Sequence, residues 1–192
     1  MKKSIGADTL AYPTPVWCVG SYDDKGRPNV MTVAWGGICC SKPPAVTVSL
    51  RKATYSYGCI MARKAYTVSI PSTRHVAEAD YFGIASGKNT DKFADTGLTA
   101  VRSEAVDAPY VGEFPLVLEC RVVHTHEIGL HTQFIGQIVD IKADEEMLNE
   151  KGQPLMEKGA PFVFASGIRE YRALGEAVGR AFSIGKAFGS PS

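Results

Sequence analysis

One stretch, NVMTVAWGGICCSKPPAVTVSLRKATYSY from Asn29 to Tyr57, constrains the fold more than any other part of the chain. It holds two apolar, β-prone runs, Val30 to Trp35 and Ala45 to Leu50, joined through Gly36, Gly37 and the breaker Ser41-Lys42-Pro43-Pro44. The pair reads as a β-hairpin-like unit. Its second run opens into Arg51-Lys52-Ala53-Thr54-Tyr55-Ser56, where two cations sit among hydroxyl side chains. An oxyanion such as a phosphate needs clustered N–H and O–H donors, and Arg51, Lys52, Thr54, Tyr55 and Ser56 supply them. The competing reading is a solvated turn after a strand. Upstream, Trp35 beside Gly36-Gly37 puts a flat ring next to backbone that a planar ligand can approach closely. A core tryptophan at a bulge is the alternative there.

The rest of the chain reads as mainly β. Met1 to Tyr12 is a lead-in, Pro15 to Gly20 a first strand, Ser21 to Pro28 a turn carrying Asp23-Asp24-Lys25-Gly26, and Asn29 to Trp35 the second strand of a meander. Ile60 to Ala65 suits a short helix before a strand at Tyr66 to Ile70, which would put Thr54 or Ser56 near a helix start that favours an anion. Ser72 or Thr73 caps a helix running to about Phe82, with Val76, Ala79 and Tyr81 inward and His75 on the surface. Asp91 reads as the N-cap of a short helix, Lys92 to Thr96, stopped by Gly97. Long strands follow at Pro115 to Val123 and Thr132 to Ile141, then a polar surface excursion from Asp144 to Met156 and a last strand at Pro161 to Ala165. Tyr171, Leu174, Val178 and Phe182 have helical spacing, interrupted by Gly175 and Gly179, and suit packing on a partner subunit.

Charge and motifs exclude several classes. With 21 basic and 20 acidic residues the chain has no field to gather nucleic acid or an anionic membrane. A small-molecule partner is favoured over a polyanion. No apolar run approaches the roughly 20 residues of a membrane span, and Met1-Lys2-Lys3 is not followed by a signal-peptide core, so a cytoplasmic location is expected. The five cysteines form no C-x-x-C pair and are expected reduced, with Cys39 and Cys40 buried as small apolar residues on opposite faces of a strand. His124, His126 and His131 lack a completing ligand set, so no metal is assigned. Neither G-x-G-x-x-G nor G-x-x-x-x-G-K-[ST] occurs, which leaves Rossmann and P-loop folds unsupported, and no hydrolytic Ser/His/Asp constellation stands out.

The ordered set Pro13-Thr14-Pro15-Val16, Asn29 to Trp35, Pro43-Pro44 and Val48 to Ser56 resembles the flavin reductase-like, FMN-binding split-barrel family. The likeness continues through Asp91-Lys92-Phe93, His131 to Gly136 and Ala181 to Lys186. The resemblance implies one domain over 1–192, an antiparallel split β-barrel of Greek-key type with a few peripheral helices, and FMN as cofactor. It implies that Met31, Thr32, Val33, Ala34 and Trp35 line the isoalloxazine, and that Ser49 and Leu50 touch the ring or ribityl chain through backbone. Lys52, Thr54 and Ser56 are then the foremost phosphate ligands, with Arg51 and Tyr55 behind them. Lys92 and Phe93 would lie by the flavin, the cation stabilising reduced flavin; a surface lysine beside a core phenylalanine is the alternative. His131 would donate a hydrogen bond or proton near flavin N5 or N1, or else support its loop. Phe164 either faces the ring or packs in the core. Family resemblance further implies a homodimer with the flavin near the interface. Three functions remain open: an electron carrier with tightly held FMN and a redox protein partner, an NAD(P)H-dependent flavin or ferric reductase, and a non-redox split-barrel binding module.

Overall fold

The computed structural model describes residues 1–11 and 13–189. Along the chain, strands β1 (Thr14–Pro15), β2 (Trp17–Tyr22), β3 (Pro28–Val33), β4 (Gly36–Ser41) and β5 (Pro44–Arg51) lead into helix α1 (Tyr55–Arg63) and strand β6 (Ala65–Ile70). Helices α2 (Val76–Ile84) and α3 (Lys92–Thr96) precede β7 (Ala100–Arg102), β8 (Pro109–Val111) and the long strands β9 (Leu116–Ile128) and β10 (His131–Ala143). Helix α4 (Met156–Gly159) and strands β11 (Phe162–Ala165) and β12 (Glu170–Ala173) complete the regular elements, with 3-10 turns at Thr73–His75, Glu145–Met147 and Ile184–Phe188.

Seven strands form one antiparallel sheet in the order β3-β2-β6-β9-β10-β5-β4. Its two edges, β3 and β4, are consecutive in the chain with only Ala34 and Trp35 between them. Laid flat, six strand spacings would separate the edges by about 29 Å, whereas three Cα steps span at most about 11 Å. The sheet must therefore curl, and it closes to a split barrel. Trp35 O accepts from Ser49 N at 2.9 Å, one step beyond the β4–β5 pair Gly36–Val48. Beyond that contact β5 runs past the end of β4, so the Leu50–Arg51 edge faces the free edge of β3 across a gap that α1 spans.

Alternation along the strands sorts the side chains into two layers. Val19, Val46, Val48, Leu50, Val68 and Phe134 fill the barrel, each at most 1 % exposed, and burial of such side chains stabilises by about 1.5–3 kcal/mol apiece. Tyr66 spans this interior to donate to Val46 O at 3.0 Å, over Gly136, where a Cβ would come within 2.4 Å of the phenol oxygen. On the outside of β2 and β3, Cys18 and Val30 pack with Phe82 of α2, Phe93 of α3 and Phe114. A second sheet, β1-β11-β12, lies alongside.

Several expectations hold as read. Ser72 accepts from Arg74 N at the start of the 3-10 turn leading into α2, Ala79 is fully buried, and α3 has the bounds, Asp91 cap and left-handed Gly97 stop expected of it. Others need correction. The Asn29–Tyr57 stretch is not a simple hairpin, because β4 intervenes: β5 pairs with β4 and β10, while β3 pairs only with β2. Strand β3 ends at Val33 and the first barrel strand begins at Trp17. The expected helix at Ile60 starts five residues earlier, at Tyr55. Cys39 and Cys40 are exposed, since β4 is an edge strand with a register shift between Ile38 and Cys40. His124 and His126 belong to β9 rather than to a connection. The tail is not helical: Tyr171 lies on β12, Val178 and Phe182 stand exposed, and the two glycines leave no run long enough to nucleate. Pro161–Ala165 is followed by this further strand, and the lead-in residue Tyr12 lies outside the described residues.

Candidate functional site

Helix α1 starts within four residues of the end of β5, so the basic hydroxyl-rich loop is its N-terminus. Thr54 is the N-cap in extended conformation, yet its side chain makes no capping bond; the hydroxyl donates instead to Arg51 O at 2.8 Å. No acidic residue occupies the first turn. The first-turn N–H groups and the positive end of the helix dipole are thus left for an anion, with Arg51 and Lys52 in the same loop.

Two adjoining clefts meet at this helix start. The larger, ≈ 420 Å³, is walled by Lys52, Thr54, Tyr55, Tyr57, Ser86 and Lys88. Its neighbour, ≈ 290 Å³, is walled by Arg27, Asn29, Tyr55, Lys88, Asn89 and Lys92. Asp23, Tyr55 and Lys88 border both. Asp23 organises this corner: its carboxylate accepts from Lys25 N and Arg27 N at 2.8 Å each, from Arg27 Nε at 2.7 Å and from Tyr55 Oη at 2.9 Å. Desolvation would raise its pKa, but the Arg27 backbone, the Arg27 side chain, Tyr55 and Lys25 outweigh it and hold the carboxyl at about 2. Arg63 clamps the same turn by donating to Asp23 O. Beside it, Asn29 Nδ2 donates to Ser56 Oγ at 2.8 Å, which leaves the Ser56 hydroxyl hydrogen free to donate. Asn29 Oδ1 is buried with no hydrogen-bond partner among the described residues. The donor set and this orphaned acceptor together suit a ligand carrying both an oxyanion and hydroxyl groups.

The residues singled out in the sequence are distributed as follows. Ser49 and Arg51 pair directly with Gln133 and His131 of β10, so Ser49, Arg51 and half-buried His131 share the outer face of the barrel. Leu50, at 1 % exposed, points into the core. Lys52 forms an ion pair with Glu127 at 2.7 Å across to the tip of β9, and this bond raises its pKa. Tyr55 and Ser56 turn the other way, toward Asp23 and Asn29. Met31 and Val33 pack with the barrel core, whereas the Thr32 hydroxyl donates to Ala79 O of α2, and Ala34 and Trp35 form the half-exposed seam. Phe93 packs on Phe82 with ring centroids 6.2 Å apart. Phe164 lies on β11 opposite Thr14 and tilts against Tyr171 at 5.6 Å, away from the α1 loop.

Lys92 is buried rather than presented. Its ammonium donates to Val30 O on the free edge of β3 and to Phe82 O in the last turn of α2, both at 2.8 Å. Burial lowers its pKa to about 8. Asp23, Arg27, Asn29 and Lys88 are among the lining residues that the sequence reading passed over. Only Asn29 carried a signal, as the first residue of the β3 motif; the rest reach the site by tertiary folding of loops far apart in the chain.

Comparison with known proteins follows the same lines. A family model described as a flavin reductase like domain matches residues 9–172. The fold is similar to flavoredoxin of Desulfovibrio vulgaris (Miyazaki F), with a TM-score of 0.93 and 57% identity over 97% of this chain and 100% of that one. It is also similar to flavoredoxin from Methanosarcina acetivorans, with a TM-score of 0.91 and 29% identity over 98% and 99% of the two chains. A ferric-chelate reductase (NAD(P)H) of Archaeoglobus fulgidus is 29% identical over 129 residues, covering 62% of this chain and 71% of that protein. Among the described residues, no helix is long and apolar enough to cross a membrane.

Proposed function

This chain belongs to the flavin reductase-like family, and we propose that it is a flavoredoxin-like electron carrier that holds one FMN non-covalently at the start of α1. The observation that carries the reading is the acid-free N-terminus of α1 with no capping side chain, emerging from β5 with Arg51 and Lys52 beside it. In this reading the phosphate takes the first-turn N–H groups together with Lys52, Thr54 and Ser56, backed by Arg51, Tyr55 and, from across the cleft, Lys88. The Asn29 Oδ1 accepts from a ribityl hydroxyl. Met31 to Trp35, with Ser49 and Leu50 backbone, border the isoalloxazine at the barrel seam. FMN supplies reversible two-electron chemistry; the protein binds it, excludes water and sets its potential. Lys92 and Phe93 support the β3 wall of the pocket, His131 stands on the outer face beside Arg51, and Phe164 belongs to the neighbouring layer. A second copy of the chain pairs with the first to complete the site.

One phosphate cluster without a dinucleotide motif favours FMN over FAD. Reconstitution tests the reading: apoprotein titrated with FMN should take up one equivalent and turn yellow, and riboflavin, which lacks the phosphate, should bind more weakly. A colourless protein that no flavin restores would end it. The A. fulgidus ferric-chelate reductase supports a second reading, in which NAD(P)H reduces the bound flavin. Anaerobic mixing with NADH and NADPH separates the two, since a carrier shows no fast bleaching with either.

A further inference from the structure

On the opposite side of the barrel from the α1 clefts lies a cavity of ≈ 350 Å³ that the flavin site does not use. Its inner wall is the end of the barrel, where Trp17, Ile70 and Leu116 meet, and β11 contributes Phe162 and Val163. The surface excursion closes over it with Met147, Pro154, Met156 and Gly159, and Leu174 stands at the rim, 42% exposed. None of the lining residues is ionisable. Among the described residues, the Trp17 indole N–H is the only polar side-chain group in the wall, and the backbone is poor in donors as well, because Pro15, Pro115, Pro154 and Pro161 lack an N–H.

A water in a cavity needs two to four polar partners, roughly, and this wall offers almost none. The volume falls in the range of about 300–1,000 Å³ typical of small-ligand sites. Two methionines supply adaptable apolar walls, while the prolines keep the frame stiff. We propose that this cavity is a binding site for a neutral, ring-sized apolar molecule. Its position gives it a link to the redox site: the Trp17 ring also packs against Gly36, where a Cβ would come within 2.8 Å of Cζ3. One indole therefore separates the cavity from the seam that borders the proposed isoalloxazine. Binding itself does not depend on the FMN reading.

The experiment is equilibrium dialysis of the FMN-reconstituted protein with 2-naphthol, matched against 2-naphthoate. Saturable uptake of one 2-naphthol per chain is expected, with 2-naphthoate weaker by about tenfold or more, since a carboxylate finds no partner in this wall. Leu174→Trp and Met156→Trp fill the rim from exposed positions and should each weaken 2-naphthol binding by about tenfold while FMN content stays unchanged. Non-saturable uptake, equal binding of the two probes, or full binding in both filled variants would overturn the proposal. The comparison of probes needs no variant, so a misfolded substitution does not shelter it, and an absorbance spectrum reports the FMN site separately.

Discussion

Lys92 and Asp23 are both buried charges, but their surroundings push them in opposite directions. The Lys92 ammonium is lowered to about 8 by burial, against about 10.5 in an unfolded chain. Below pH 8 both states carry the proton and the fold bears the full cost of burying it. Between pH 8 and 10.5 the folded protein releases its proton first, so stability should rise by on the order of 2–3 kcal/mol. Urea denaturation of the apoprotein from pH 7 to 10 checks this, and Lys92→Met should abolish the rise. Asp23 is depressed to about 2, because hydrogen bonds from Arg27, Tyr55 and Lys25 outweigh desolvation. Its contribution is complete above the ordinary carboxylate range near 4 and is lost as pH falls toward 2. Asp23→Asn should flatten that limb of an acid-unfolding curve; an unchanged limb would assign acid lability to other carboxylates.

Helix α1 trades stability for binding. An N-cap of Asp with a real capping bond is worth about 0.5–2 kcal/mol over none, and the charge interacts favourably with the dipole. Thr54→Asp should therefore stabilise the apoprotein by about 1 kcal/mol in urea titration, yet weaken FMN binding by at least about tenfold through repulsion of the phosphate. A variant gaining stability with no loss of affinity would remove the phosphate from this helix. Strand β4 makes a different prediction. Cys39 and Cys40 are exposed on the edge, whereas Cys18 and Cys120 are buried with thiols pushed up to about 12, and Cys59 is buried on the inner face of α1. A thiol reagent should titrate two cysteines quickly in the native protein and the other three only after unfolding.

For the whole molecule, the uncovered apolar surface is the main unspent feature. Ile128 and Leu130 stand 61% and 62% exposed at the tip of the β9–β10 hairpin, and Val178, Phe182 and Phe188 of the tail are nearly fully exposed. Such a set suits an isologous contact between two copies. The tip also carries Glu127, which holds Lys52, so pairing there would reach the phosphate loop. If the proposed dimer forms through this tip, Leu130→Lys should shift sedimentation from dimer toward monomer and speed release of reconstituted FMN, whereas a variant that remains dimeric would exclude the tip from the interface.

Much of this was legible in the amino-acid order. The alternation of Val46, Val48 and Leu50 with Thr47, Ser49 and Arg51 declares a strand with one buried face, and Asp91 with Gly97 brackets α3 by local chemistry alone. The donors from Arg51 to Ser56 could be proposed as an anion site because they lie within six residues, although the helix start expected near Ile60 falls at Tyr55. Other features could not be read there. The strand between Gly36 and Ser41 is an edge, and exposure of Cys39 and Cys40 depends on which neighbour is missing, a property of sheet order rather than of local sequence. The tail shows a helical spacing, but Tyr171 is taken up by β12 and Val178 and Phe182 stand exposed. The sequence by itself determined strands β2, β3, β5, β6, β9 and β10, the Asp91 and Gly97 caps and the clustering of donors after β5, since periodicity and capping act over a few residues. Only the tertiary structure decided that Lys92 is spent on two carbonyls, that Asp23, Asn29 and Lys88 join the loop, and that an apolar cavity lies behind Trp17. Curling the sheet until its edges meet is what brings those distant residues within contact distance.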